Sequence, residues 1–134
     1  MSLRILVVED EEVVCKLLAR ILRPPRFDVV RALTILEARK HLDPPPSLII
    51  LDMGIPGESA EGFCHSVHHD PLTHKVPILI LTGRDMPDLD ESSVAACAQE
   101  IVYKPFDNAA LVFHVETLLK KAAYELRHFP PVSL

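Results

Sequence analysis

Five short apolar runs punctuate the chain: Leu3 to Val8, Phe27 to Val30, Leu48 to Leu51, Val76 to Leu81, and Ile101 to Tyr103. They lie too far apart for hairpins and are too short for buried helices, so they predict strands. Between them the apolar positions recur with helical period. The first such segment places Val13, Val14, Leu17, Leu18, Ile21 and Leu22 on one side and leaves Glu12, Lys16 and Arg20 for solvent. The last is longer, with Leu111, Val115, Leu118, Leu119, Ala122 and Leu126 in one stripe. Thr34 followed by Glu37 fits a capping box ahead of the second helix, and Asp107 is placed to cap the fifth.

The strands are rich in Val, Ile and Leu without polar alternation, the pattern expected when both faces of a parallel sheet are covered by crossover helices. Five βα units in a row predict an α/β fold, a doubly wound five-stranded parallel sheet in a flavodoxin-like sandwich with strand order 2-1-3-4-5. The twelve prolines fall nearly all at predicted element edges, including Pro24-Pro25, Pro44-Pro45-Pro46, Pro56, Pro71, Pro77, Pro87, Pro105 and Pro130-Pro131, so they punctuate the fold and do not signal disorder. No repeat or low-complexity linker interrupts the chain. Residues 1–126 read as one domain and 127–134 as a C-terminal tail or the start of a linker; with Met1 directly before the first strand, any further module is expected after Leu134.

At 134 residues the chain has room for one domain of common size. Fourteen Lys and Arg against nineteen Asp and Glu leave a formal charge of −5, which opposes direct binding to nucleic acid or to anionic membrane surfaces. No apolar run approaches the roughly 20 residues of a membrane helix, and the opening apolar stretch is cut short by Glu9 and Asp10. The three cysteines, Cys15, Cys64 and Cys97, are widely spaced in largely apolar contexts and predict reduced core thiols in a cytoplasmic protein.

In an open parallel sheet the reactive groups gather beyond the carboxyl ends of the strands. The first strand exits into Glu9-Asp10-Glu11-Glu12, the third into Asp52, the fourth into Thr82-Gly83 and the fifth into Lys104-Pro105. In the expected strand order the first and third strands are neighbours, which brings Asp10 and Asp52 close together with Glu9 beside them. Two carboxylates about 4 Å apart repel by roughly 4 kcal/mol at an effective dielectric near 20. Lys104 supplies one compensating charge and a hard divalent cation the rest; Mg²⁺ suits such oxygen ligands because it keeps several waters and accepts a phosphate oxygen. That setting makes Asp52 a candidate nucleophile toward a phosphoryl group.

The strings Leu6-Val7-Val8-Glu9-Asp10-Glu11, Leu51-Asp52-Met53-Gly54-Ile55-Pro56-Gly57, Leu81-Thr82-Gly83 and Tyr103-Lys104-Pro105-Phe106 together resemble the four signature stretches of response regulator receiver domains of two-component signalling, collinear over about residues 3 to 122. The resemblance implies that Asp52 is the phosphoacceptor, charged by a sensor histidine kinase or a phosphotransfer protein. It implies Mg²⁺ bound by Asp10, Asp52 and the Gly54 carbonyl, with Glu9 acting through water. Thr82 and Lys104 would each contact a phosphoryl oxygen, and the Lys104-Pro105 bond would be cis. The signal would pass by a shape change to an output protein or module that the sequence does not name, and a homodimer stays open. On this reading the protein is a switch and not an enzyme.

The chain departs from the family pattern at three places, the least consequential being Ile35, at a helix-start position that is often glycine. Ile101 stands where receivers usually carry an aromatic that swings inward, with Tyr103 on the same strand face as a candidate substitute. After Pro56, two extra loop residues bring Glu61-Gly62-Phe63 into register with the family's usual acidic, glycine and large apolar residues. The histidines His65, His68 and His69, with His74 nearby, have the spacing of a metal clasp, yet no Cys or carboxylate completes a set and that face is expected to be wet. The Val94 to Ala98 segment reads as packing. Two other functions remain to be weighed: a pseudo-receiver that binds partners without phosphorylation, and a small aspartate phosphatase, disfavoured because Gly54 stands where such enzymes place a second Asp.

Overall fold

The computed structural model describes residues 2–83 and 89–128; the expectations for Pro87, Pro130-Pro131 and most of the C-terminal tail lie outside them. Ten elements alternate along the chain. They are β1 (Leu3–Val8), α1 (Glu12–Ile21), β2 (Phe27–Ala32), α2 (Ile35–Arg39), β3 (Leu48–Asp52), α3 (Ala60–His69), β4 (Ile78–Gly83), α4 (Glu91–Ala95), β5 (Glu100–Lys104) and α5 (Asn108–His128). The five strands form one sheet in the order β2-β1-β3-β4-β5, every pair parallel, as the apolar runs predict.

Both faces of the sheet are buried, which is why the strands show no polar alternation. Leu6, Val8, Ile49, Leu51, Ile78 and Ile80 point to one face, covered by α2, α3 and α4. Ile5, Val7, Leu48, Ile50, Leu79 and Leu81 point to the other, covered by α1 and α5. The helix starts follow their caps. Thr34 Oγ1 accepts from Glu37 N at 3.0 Å while Glu37 accepts from Leu33 N at 3.1 Å, and Asp107 accepts from Ala110 N at 2.9 Å. Ser59 caps α3 by accepting from Gly62 N, so Glu61-Gly62-Phe63 occupy its first turns, and Phe63 is fully buried.

The structure corrects several details. β4 begins at Ile78, two residues later than the apolar run suggests, because Val76 closes a turn onto Thr73 and the carbonyl of Pro77 meets β3 through Ile49 N. Val13 is 79% exposed: the face α1 buries runs through Val14, Cys15, Leu18 and Leu22. The α5 stripe is buried only as far as Leu119, and Leu126 is exposed, because the helix outruns the sheet beneath it. It continues to His128, two residues into the expected tail. Pro24-Pro25, Asp43-Pro44 and Lys104-Pro105 are cis; only the last was implied by resemblance.

The cysteine expectation also changes. Cys15 is a buried free thiol, as expected, but Cys64 and Cys97 form a disulfide across 33 residues. Sequence spacing could not show this, because the pairing depends on α3 and the end of α4 packing on the same face of the sheet.

Candidate functional site

The site lies at the carboxyl edge of the central strands. β1 and β3 run side by side with Val8 opposite Leu51, so Glu9 and Asp52 leave the sheet at the same level. On the other side of β3, Asp52 is paired with Leu81, which sets Thr82 one step further along, and Thr82 in turn faces Tyr103 of β5. Lys104 ends β5 opposite Gly83. The topology thus collects five of the expected residues from four strand ends.

Glu9 and Asp52 are buried and so is Thr82, whereas Asp10 is exposed. One oxygen each of Glu9, Asp10 and Asp52 lie within 4.8 Å of one another, the only such group of three among the described residues. The Lys104 ammonium reaches Glu9 Oε2 at 2.9 Å, Glu11 Oε1 at 3.2 Å and Asp52 Oδ2 at 3.6 Å. Gly54 sits in the turn after β3, and its backbone N–H donates to Asp52 Oδ1 at 2.9 Å, fixing the carboxylate's orientation. Glu11 N–H donates in the same way to Glu9 Oε1 at 3.0 Å. Glu11 is the one participant that sequence reading did not single out, although its place in the acidic run was a signal.

The electrostatics show a site short of positive charge. Burial pushes the Glu9 carboxyl up to about 7, against the opposing pull of Lys104 and the Glu11 amide, and the Asp52 charge pushes the same way as burial. Burial also works against the Lys104 charge, but its contacts with Glu9, Asp52 and Glu11 outweigh that cost and raise its pKa above the usual lysine value. Glu9 Oε2 is fully buried without a well-directed hydrogen bond, its close partner being the Lys104 ammonium. A hard divalent cation fits this set: three converging carboxylate oxygens and an under-satisfied buried acceptor are the donor chemistry Mg²⁺ takes.

The histidines do not gather into a comparable cluster. His65 is only partly exposed and shares a hydrogen bond with Ser93 of α4 at 3.1 Å through Nε2, so it is a packing contact between α3 and α4 and not the wet side chain the sequence suggests. The Val94 to Ala98 segment packs as expected, through Val94 and Cys97. Tyr103 lies on the same face of β5 as Ile101, and its hydroxyl donates to Glu91 in the first turn of α4. Ile101 itself packs against the core beneath α4.

Comparison with known proteins gives this arrangement a family. The response regulator receiver domain model matches residues 5–116. The phosphate regulon transcriptional regulatory protein PhoB of Rhizobium meliloti is 35% identical over 92% of this chain and 55% of its own length. The regulatory protein VanR of Enterococcus faecium is 30% identical over 90% of the chain and 52% of its own length. The chain therefore spans about half the length of these curated relatives. A crystal structure of a putative response regulator from Chloroflexus aurantiacus superposes with a TM-score of 0.81 at 30% identity, covering 90% of this chain and 99% of that one. A CheY-like receiver domain protein from Methanospirillum hungatei has the same fold, with a TM-score of 0.82 at 21% identity over 93% of this chain and 99% of that one. With the fold, the four strand-end motifs and the family model in agreement, the chain belongs to the response regulator receiver domain family.

Proposed function

We propose that this receiver domain accepts a phosphoryl group on Asp52 from a phosphohistidine of a sensor histidine kinase or a phosphotransfer protein, in a reaction that needs Mg²⁺. The observation that carries the reading is the convergence of Glu9, Asp10 and Asp52 oxygens within 4.8 Å, beside the Lys104 ammonium. Asp10, Asp52 and the Gly54 carbonyl would hold the cation, with Glu9 acting through water. Bound there, Mg²⁺ would neutralise charge on the incoming phosphoryl oxygens.

The side chains supply the remaining steps. A carboxylate oxygen of Asp52, held by the Gly54 amide, attacks phosphorus as the bond to the donor's imidazole nitrogen breaks, leaving an acyl phosphate on the protein. Lys104 already stands 3.6 Å from Asp52 and is placed to pair with a phosphoryl oxygen, and the Thr82 hydroxyl to donate to another. A phosphoryl group drawing Lys104 away from Glu9 alters β5 directly, and the Tyr103 contact with Glu91 connects β5 to α4. Tyr103 thus takes the place of the usual aromatic at Ile101 in passing the change to the α4-β5 surface.

On this reading the protein is a switch, turning over no separate metabolite, and acts in the cytoplasm on an output protein or module without touching nucleic acid or membrane directly. Among the described residues no helix is long and apolar enough to cross a membrane. The test is intact mass after incubation with acetyl phosphate and Mg²⁺. The native chain should gain one phosphoryl group and Asp52→Asn none; a native chain left unlabelled where a control receiver is labelled would refute the proposal.

A further inference from the structure

α4 is the least anchored helix of the fold. It has five residues, a single buried side chain in Val94, and an N-cap in Asp90, which accepts from Ser92 N and Ser93 N. Among the described residues three side-chain contacts tie it to neighbouring elements: Glu91 at its start receives the Tyr103 hydroxyl, Ser93 in its middle meets His65 of α3, and Cys97, just past the C-cap, is bonded to Cys64 in the middle of α3. Only the last is covalent. It closes a loop that contains all of β4 and α4.

The pair is selective. Cys64 and Cys97 have Cα atoms 5.9 Å apart, within the range a disulfide spans with the backbone in place. Cys15 lies on the opposite face of the sheet, in the core under α1 and α5, and burial raises its thiol pKa, so it cannot exchange with the pair. Both sulfurs of the pair are shut off from solvent, with Cys64 at 0% and Cys97 at 1% exposure. A reagent reaches them only when α4 lifts from α3, a local opening that a short helix with one buried side chain permits.

We propose that Cys64 and Cys97 form a redox modification site, oxidised by hydroperoxides and reduced by dithiols, whose oxidised state clamps α4 to α3. In the opened, reduced form one thiolate attacks a peroxide oxygen; the O–O bond breaks, giving a sulfenic acid and, after protonation, water. The second sulfur then attacks the sulfenic sulfur, the S–O bond breaks, and a second water leaves as the S–S bond forms. The two thiols give up two electrons and two protons, and hydrogen peroxide becomes two waters. A dithiol reverses the change by exchange, leaving as its own disulfide, through the rarer opening of α4 that the clamped form still undergoes. Because α4 also holds Glu91 against Tyr103, the clamp bears on the surface shared by α4 and β5. It does not depend on phosphoryl transfer.

The test starts from the fully reduced 134-residue chain, treated with hydrogen peroxide or left untreated, then denatured, alkylated and weighed. After peroxide one of the three cysteines, Cys15, should remain alkylatable, and peptide mapping should join Cys64 to Cys97. Amide exchange across residues 91–98 of the folded chain should be about tenfold slower in the oxidised form than in the reduced one. Cys97→Ser should exchange like the reduced chain with or without peroxide. Three alkylatable thiols after peroxide, a bond that includes Cys15, gain of oxygen in place of loss of hydrogen, or equal exchange in both redox forms would each overturn the proposal.

Discussion

β3 and β5 each deliver one residue to the site, yet they do so from unlike surroundings. Every residue of β3 is buried, from Leu48 to Asp52, with a strand on either side and helices over both faces. Every residue of β5 is only partly buried, because β5 is an edge strand covered by the short α4 and the flank of α5. Asp52 is thus fixed by the middle of the core, whereas Lys104 and Tyr103 ride on the strand best able to shift. The acceptor is set on the rigid strand and the groups that respond to it on the yielding one.

Truncation would test that contrast most severely. Ile50→Ala should cost about 4 kcal/mol of stability, and Ile101→Ala about half as much, because the second site is already part open and its neighbours can collapse. Equal losses in chemical denaturation would show β5 to be as firmly packed as β3. Replacing the cation that joins the two strands comes next. Lys104→Met should lower stability by about 3 kcal/mol at pH 8 in chelator, because it leaves Glu9 and Asp52 buried together without a counter-charge. The loss should shrink at pH 5, where Glu9 is protonated.

The pH dependence of the native chain carries a defined sign. Glu9 is raised from an ordinary 4.5 to about 7, so folding favours its protonated form; that contribution is complete below pH 4.5 and is lost as pH rises through about 7. In chelator this group alone should cost about 3 kcal/mol between those limits. Mg²⁺ should raise the thermal midpoint more at pH 8 than at pH 5, since it competes with the proton; an equal rise at both would place the cation elsewhere. The smallest effect concerns the β5 edge alone. Tyr103→Phe should cost less than about 1 kcal/mol, yet speed amide exchange in the first turn of α4.

The parts of this design that sequence revealed are those set by local rules. Strand ends show where apolar runs meet Glu9, Asp52, Thr82 and Lys104, and parallel topology then brings them to one edge. Caps such as Thr34 and Asp107 were equally legible because their hydrogen bonds close within three residues. Helix rotation was not: the stripe that includes Val13 and the one that excludes it differ by a fraction of a turn, and only the tilt of α1 on the sheet decides between them. The Cys64 to Cys97 bond, the His65 contact with Ser93 and the Tyr103 contact with Glu91 all depend on how α3, β5 and the short α4 meet in space, which no spacing in the chain encodes.

A strand greasy on both sides has an ambiguity of its own. Sliding Leu48-Ile49-Ile50-Leu51 by one position against its neighbours would exchange one aliphatic face for another at little cost, since no polar side chain among those four would be turned inward. The carboxylate that follows removes the degeneracy. A slip that drew Asp52 deeper would bury its charge away from the Lys104 ammonium on β5, so the residue proposed to receive the signal also locks the alignment of the strand that carries it.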